Sequence, residues 1–253
     1  MTRKARLEHV LAQIEAATRA AGRPSGSVRL IGVTKTRTPA ELVQVVADGL
    51  LDLGANYVEE SLPAIAAVKA ARFDCTWHFI GHLQANKTRA VAEHFAWLHT
   101  LDRLRIAQRL SAQRPGGAPP LNLLLQVNFA REASKGGIQD LDALRTLAQQ
   151  VQTLPNLQLR GLMTIPPASA VDPQPAFAEL AAALAVLRAD QQAPRIEGSG
   201  AHLLDTLSMG MSADFAAAIA AGATMVRIGT ALFGPRPGKV RPSSAEPPPH
   251  PST

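Results

Sequence analysis

"DTLSMGMSADFAAAIAAGATMVRIGT", residues 205–230, contains two short strands with one helix between them. "DTLSMG" (205–210) reads as a strand that ends on glycine. "SADFAAAIAAG" (212–222) reads as a helix, with Ser212 as its N-cap and Gly222 just past its C-terminus. "TMVRIGT" (224–230) reads as the next strand. Strand, helix and strand in this order predict two parallel strands joined by a crossover.

The same unit recurs toward the N-terminus. Strands are expected at "LQLRGLMTI" (157–165), "LNLLLQVN" (121–128), "FAWLHTL" (95–101), "WHFIG" (77–81), "LLDLGAN" (50–56) and about 28–34. Helices are expected near 174–188, 139–152, 102–113, 84–93 and 60–71. Thr38-Pro39-Ala40-Glu41 has the form of a capping box with proline at the first helical position, and Leu42, Val45 and Val46 give that helix its inward face. An additional leading helix spans 6–21, with Leu7, Val10, Leu11, Ile14 and Ala17 on one face and Gly22, Arg23 and Pro24 ending it. Eight strands with intervening helices in about 235 residues predict a single (β/α)8 TIM-type barrel with an extra N-terminal helix over its bottom or side. An open doubly wound sheet competes, but no glycine fingerprint follows the first strand. The barrel is expected over 1–235. The loop 191–202 has no clear course, and 236–253, with six prolines, reads as a disordered tail.

Composition agrees with a soluble globular chain: 253 residues, 46% hydrophobic, 18% charged and mean hydropathy +0.02. The net charge is +6 and the pI about 10.1, yet the basic residues are scattered and only 4% of residues are aromatic. That pattern reads as an arginine-rich surface and not as a nucleic-acid interface. Cys75 is the single cysteine, so neither an internal disulfide nor a thiolate metal cluster is expected. The first 22 residues lack a signal-peptide core, and no window approaches the ~18 apolar residues of a membrane span. A cytoplasmic location is the expectation.

In such a barrel the site lies at the C-terminal ends of the strands. Those ends are Thr34-Lys35, Asn56, Gly81-His82, Thr100, Asn128, Met163-Thr164, Ser208-Met209-Gly210 and Arg227 to Thr230, a set nearly free of carboxylates. Lys35 has two readings. It is a solvated rim charge, or it points into the mouth, where desolvation lowers its pKa and an amine can form a Schiff base with an aldehyde. Gly210, Gly229 and Gly234, with Ser208, Ser212 and Thr230, stand after strands seven and eight, where such barrels bind phosphate. A Schiff-base lysine and a phosphate site in one barrel suggest pyridoxal 5′-phosphate (PLP). Arg227 shares a face with Met225 and Gly229 if the strand alternates. It would then face the pyridine nitrogen, or simply pair with a carboxylate. His78 and His82 lie on a strand and its loop, so a shared metal is not expected; Lys87 and Lys135 read as surface charges, with Lys135 near enough to the mouth to guide an anion.

"GVTKTRTP", "GANYVEE", "WHFIGHLQANK", "QVNFAREASKGGI", "LRGLMTIPP" and "LSMGMSADFAAAIAAGATMVRIGTALFG", together covering about 28–235, resemble the pyridoxal phosphate homeostasis protein family. These are barrels similar to the N-terminal domain of alanine racemase. The resemblance implies Lys35 as the aldimine lysine. It implies Ser208, Gly229 and Thr230 around the phosphate, Arg227 at the pyridine nitrogen, and Asn56 and Met209 along the pocket. "GANYVEE" departs from the family form, which has Glu at 55 and Gln at 59. The resemblance further implies a carrier that buffers PLP and hands it to PLP-dependent apoenzymes, without established turnover, as a monomer or weak homodimer. A small amino-acid racemase is the alternative, with Tyr57 or His82 as second base. A Schiff-base aldolase acting on a sugar phosphate is a third.

Overall fold

The computed structural model describes residues 2–167, 170–192 and 203–234. Its elements are α1 (Arg3–Ala20), β1 (Arg29–Val33), α2 (Pro39–Ala47), β2 (Asp52–Ala55), α3 (Val58–Ala70), β3 (Thr76–Phe79), a 3-10 turn (Ala85–Lys87), α4 (Thr88–His94), β4 (Trp97–Leu101), α5 (Leu104–Gln113), β5 (Leu121–Val127), α6 (Leu141–Gln152), β6 (Leu157–Thr164), α7 (Gln174–Gln192), β7 (Thr206–Ser208), α8 (Phe215–Ala220), β8 (Met225–Ile228) and α9 (Thr230–Phe233). The eight strands pair in chain order, all parallel, and β8 closes onto β1 through Arg29↔Met225, Leu30↔Val226, Ile31↔Arg227 and Gly32↔Ile228. The expected barrel is the one observed.

Alternation along each strand divides the side chains into two cores. Ile31, Trp97, Leu124, Met163 and Met225 pack inside the barrel. A larger shell, including Leu53, Phe79, Leu98, Leu123, Leu125, Leu159, Val226 and Ile228, packs outward against the helices. Each such side chain, fully buried, contributes about 2 kcal/mol of transfer free energy.

Local chemistry sets the element ends. At α2 the Thr38 hydroxyl accepts from Glu41 N–H (3.3 Å) while the Glu41 carboxylate accepts from Thr38 N–H (2.8 Å), which is the anticipated capping box. The Thr38 N–H bond, the largest cause, and the nearby Arg37 hold the Glu41 carboxyl below its usual range. The Ser212 expectation is corrected. The helix starts at Phe215 with Asp214 at its N-cap, because the Asp214 carboxylate accepts from Met211 N–H (2.6 Å) and draws 211–214 into a turn, leaving Ser212 exposed. Gly222 does follow that helix, at φ +101°. The leading helix α1 lies on the barrel's side against α8 and α9. Arg6 donates to the Leu232 carbonyl (3.1 Å), and Arg23, just after α1, to the Ala223 carbonyl (2.6 Å). Several arginines therefore serve as carbonyl clamps and not only as solvated surface. Of the loop 191–202, Gln191 and Gln192 belong to α7; 193–202 and the tail 236–253 lie outside the described residues.

Candidate functional site

The strand ends around β7, β8, β1 and β2, four neighbours in the closed barrel, carry all seven residues singled out from the sequence. At β1 the Thr34 hydroxyl and N–H both donate to the Gly54 carbonyl (3.1 and 2.9 Å), stitching β1 to β2. Arg37 N–H then donates to the Thr34 carbonyl (3.0 Å), and Thr36 sits at φ +65°, an uncommon conformation for a β-branched residue. This sharp turn carries Lys35, half-buried, with its Nζ 5.6 Å from the centre of the Tyr57 ring. Among the described residues no carboxylate pairs with Lys35.

The other two lysines near the mouth differ. Lys87 pairs with Glu59. Lys135 is not the free surface charge expected: its Nζ donates to the Pro166 carbonyl (2.6 Å) and to Glu132 (2.7 Å). It ties the β5 loop to the β6 loop, so its charge is spent inside the protein.

Asn56, at the end of β2, holds a buried Oδ1 with no hydrogen-bond partner. Gly81 lets the two strand ends approach closely, since any Cβ there would land on the Asn56 backbone carbonyl. A cavity of about 280 Å³ lies beside it, lined by Asn56, Tyr57, Phe79, Gly81, His82 and Lys87 among others. It flanks Lys35 without including it. At β7 the Gly210 backbone, φ +92°, turns so tightly that a Cβ would sit 2.6 Å from that of Ala218.

Arg227 points into the barrel and is 4% exposed. It donates from Nη1 to Ser208 Oγ (2.8 Å) and from Nη2 to the Thr164 carbonyl (2.9 Å). The carboxylate pairing entertained from the sequence does not occur: no ion pair to Arg227 is found among the described residues. Burial pushes the guanidinium pKa down to about 10, against a raising effect of Asp214. Ser208 is 0% exposed and already bonded, so its hydroxyl stands beneath Arg227 and not at the open mouth. The Met209 side chain is buried in the helix-facing core, leaving its backbone at the strand end. Gly229 is half-buried beside Val33, and Thr230 is exposed at the start of α9.

Sequence reasoning missed a buried polar row below Arg227. His99 Nδ1 lies 2.9 Å from Ser208 Oγ, His99 Nε2 3.0 Å from His78 Nδ1, and His78 Nε2 2.9 Å from Asp52 Oδ1. Both rings are 0% exposed. Burial, the largest cause, lowers both pKa values; for His78 the Asp52 bond opposes it, and for His99 the neighbouring His78 and Arg227 add to it. The signal was strand phase: His99 is two residues from Trp97, a barrel-interior residue. His82 lies outside at the rim near Arg103 (3.5 Å), so the two histidines of "WHFIGH" do not share a face. Among the described residues no group of His, Cys, Asp and Glu is arranged to hold a metal, and no helix is long and apolar enough to cross a membrane.

A parallel eight-stranded barrel with a lysine just past the end of its first strand, unpaired among the described residues, and a buried arginine on its last defines the class. The profile of the family described as "Alanine racemase, N-terminal domain" matches residues 6–237. A "Pyridoxal phosphate homeostasis protein" of Pseudomonas aeruginosa is 51% identical over 229 residues, 90% of this chain and 93% of its own. One of Escherichia coli is 47% identical over 237 residues, 91% of this chain and 97% of its own. The structure of PipY from Synechococcus elongatus with PLP bound is 36% identical, with a TM-score of 0.74 over 88% of this chain and 100% of that one. The chain belongs to the alanine racemase N-terminal-domain barrels and, within them, to the pyridoxal phosphate homeostasis proteins.

Proposed function

We propose that this chain binds PLP as a Schiff base on Lys35 and acts as an intracellular carrier of the cofactor. The single observation that carries the reading is the pairing, on adjacent strands β1 and β8, of a lysine without a carboxylate partner and a buried arginine without a counterion among the described residues. Two cations at one mouth, neither in an ion pair among the described residues, suit a phosphate-bearing aldehyde.

The residues fit the cofactor. Lys35 would hold the cofactor through its amine, the group able to form a Schiff base with an aldehyde. The orphaned Asn56 Oδ1 offers an acceptor that a ligand donor would satisfy. Arg227 has used two of its five N–H donors. Arg227 would stand toward the ring of the bound cofactor; a guanidinium at the ring nitrogen would leave it unprotonated and the ring a weak electron sink, which would favour holding over turnover. Gly229, Thr230 and the backbone of 209–212 are assigned to the phosphate; Ser208 is assigned to support Arg227. Burial raises the pKa of the half-buried Cys75 thiol to about 11, which keeps it protonated near neutral pH. Transfer to PLP-dependent apoenzymes in the cytoplasm completes the reading.

The test is the absorption spectrum of the purified protein with PLP. A visible band that borohydride bleaches, with the added mass on Lys35, and that Lys35→Ala lacks, is the expected result. Equal binding and the same band in Lys35→Ala would overturn it. The racemase alternative has one observation on its side, the Tyr57 ring beside Lys35. Steady α-deuterium exchange of amino acids in heavy water, lost in Tyr57→Phe, would favour it. A sugar-phosphate aldolase would give borohydride adducts without PLP.

A further inference from the structure

A chain of hydrogen bonds climbs from the N-terminal end of the barrel to the mouth: Asp52 on β2, His78 on β3, His99 on β4, Ser208 on β7 and Arg227 on β8. Its hydrogens have one consistent arrangement. A guanidinium only donates and a carboxylate only accepts. Arg227 therefore donates to Ser208, whose own hydrogen must go on to His99 Nδ1. His99, neutral in its buried site, carries its proton on Nε2 and donates to His78 Nδ1. His78 carries its proton on Nε2 and donates to Asp52. Every link donates in the same direction, from a cation to an anion, and each of these side-chain nitrogens and hydroxyls is satisfied.

We infer that Asp52, His78, His99 and Ser208 are positioning residues for Arg227, a one-way chain that fixes the guanidinium's orientation and sets the electrostatic environment it offers to the cofactor ring. Ser208 presents lone pairs to Arg227 only because His99 takes its hydrogen. His99 accepts that hydrogen only because its own proton is held on the far nitrogen by His78. His78 in turn is set by Asp52, which also sits 3.4 Å from Arg29 at the barrel floor. Trp97 stacks on His78 (5.6 Å between centroids, 17° between planes), which helps hold the ring in the plane that aims Nδ1 at His99 and Nε2 at Asp52.

The inference rests on the PLP reading for its effect on the ligand, but the chain itself is measurable without ligand. Long-range 15N–1H spectra of the full-length, ligand-free protein at pH 7 should show His78 and His99 as neutral Nε2–H tautomers. An Nδ1–H tautomer or an imidazolium at either would overturn the proposal. With PLP added, His99→Leu, which severs the chain, should weaken PLP binding about tenfold, the scale of one hydrogen bond to a charged group. It should also displace the visible band, with Lys35 still trapped by borohydride. His99→Gln, whose amide accepts from Ser208 and donates to His78, should restore both affinity and band to near wild type. If His99→Leu fails to fold, Ser208→Ala provides the same comparison. Wild-type affinity and band in the severed variant overturn the inference. Absence of PLP binding by the wild type overturns the PLP reading instead and leaves the tautomers to decide the chain.

Discussion

The two buried histidines make the fold acid-sensitive in a calculable way. Both have pKa values lowered by burial, His99 well below the ordinary value of 6.5. The unfolded chain takes up protons on these rings at about pH 6.5, while the folded barrel refuses them until each ring's own lower pKa is reached. The folded state therefore binds fewer protons, and stability rises with pH within that window. It is fully present above about pH 7 and is lost as pH falls from about 6.5 toward the folded pKa. For one ring kept neutral in the fold, lowering the pH from 7.5 to 5.5 removes about 1.4 kcal/mol. His99 supplies that amount. His78, whose Asp52 contact opposes the shift, adds up to the same again. Urea unfolding at pH 7.5 and 5.5 reads the difference, and His99→Gln isolates one ring from the other titrating groups. The variant should lose about 1.4 kcal/mol less than wild type over this interval. Equal losses would mean that His99 is protonated, or open to water, in the folded state, and the buried-chain argument would fail.

Gly210→Ala places a Cβ 2.6 Å from that of Ala218 at φ +92°, and should cost about 2–4 kcal/mol in urea midpoint measurements; a neutral effect would show that the β7 turn is loose. Lys135→Met leaves the Pro166 carbonyl and Glu132 without their donor and should cost about 1–2 kcal/mol. Lys87→Met, which breaks the pair with the exposed Glu59, should leave the unfolding midpoint within error, and an equally unchanged midpoint in Lys135→Met would show that Lys135 is a free surface charge.

The barrel was legible because its signal is local and repeated. Each strand is a short, mostly buried run of three to eight residues, and each is separated from the next by a helical period, so strand number and order follow without any long-range knowledge. The place of Lys35 just past the end of β1 was legible for the same reason, being where the apolar run gives way to a capping box. Contacts between distant segments were not. Lys135 read as a surface charge because nothing in "AREASKGG" announces carbonyls at 165 and 166. The inward bonds of Ser208 were not legible either, because a serine at a strand end has two roles available and its contacts to Arg227 on β8 and His99 on β4 lie on distant segments. At α8 two capping residues, Ser212 and Asp214, competed, and the one whose carboxylate reaches Met211 N–H prevailed. His99 was visible in phase with Trp97, but its partners on three other strands were not.

The placement of charge explains why such a chain would be worth keeping. A carboxylate touching Arg227 would neutralise it and repel a phosphate-bearing ligand at the same mouth. An arginine with no anion at all would bear the full desolvation of burial, which already brings its pKa to about 10. Placing Asp52 at the opposite end and connecting it through two neutral rings and a hydroxyl meets both demands. The guanidinium remains oriented by hydrogen bonds that all polarise the same way, while the nearest negative charge on that path stays on the barrel floor, beside Arg29. On the proposed reading, a site that attracts an anionic aldehyde and holds an arginine against its ring would be served from below by this arrangement.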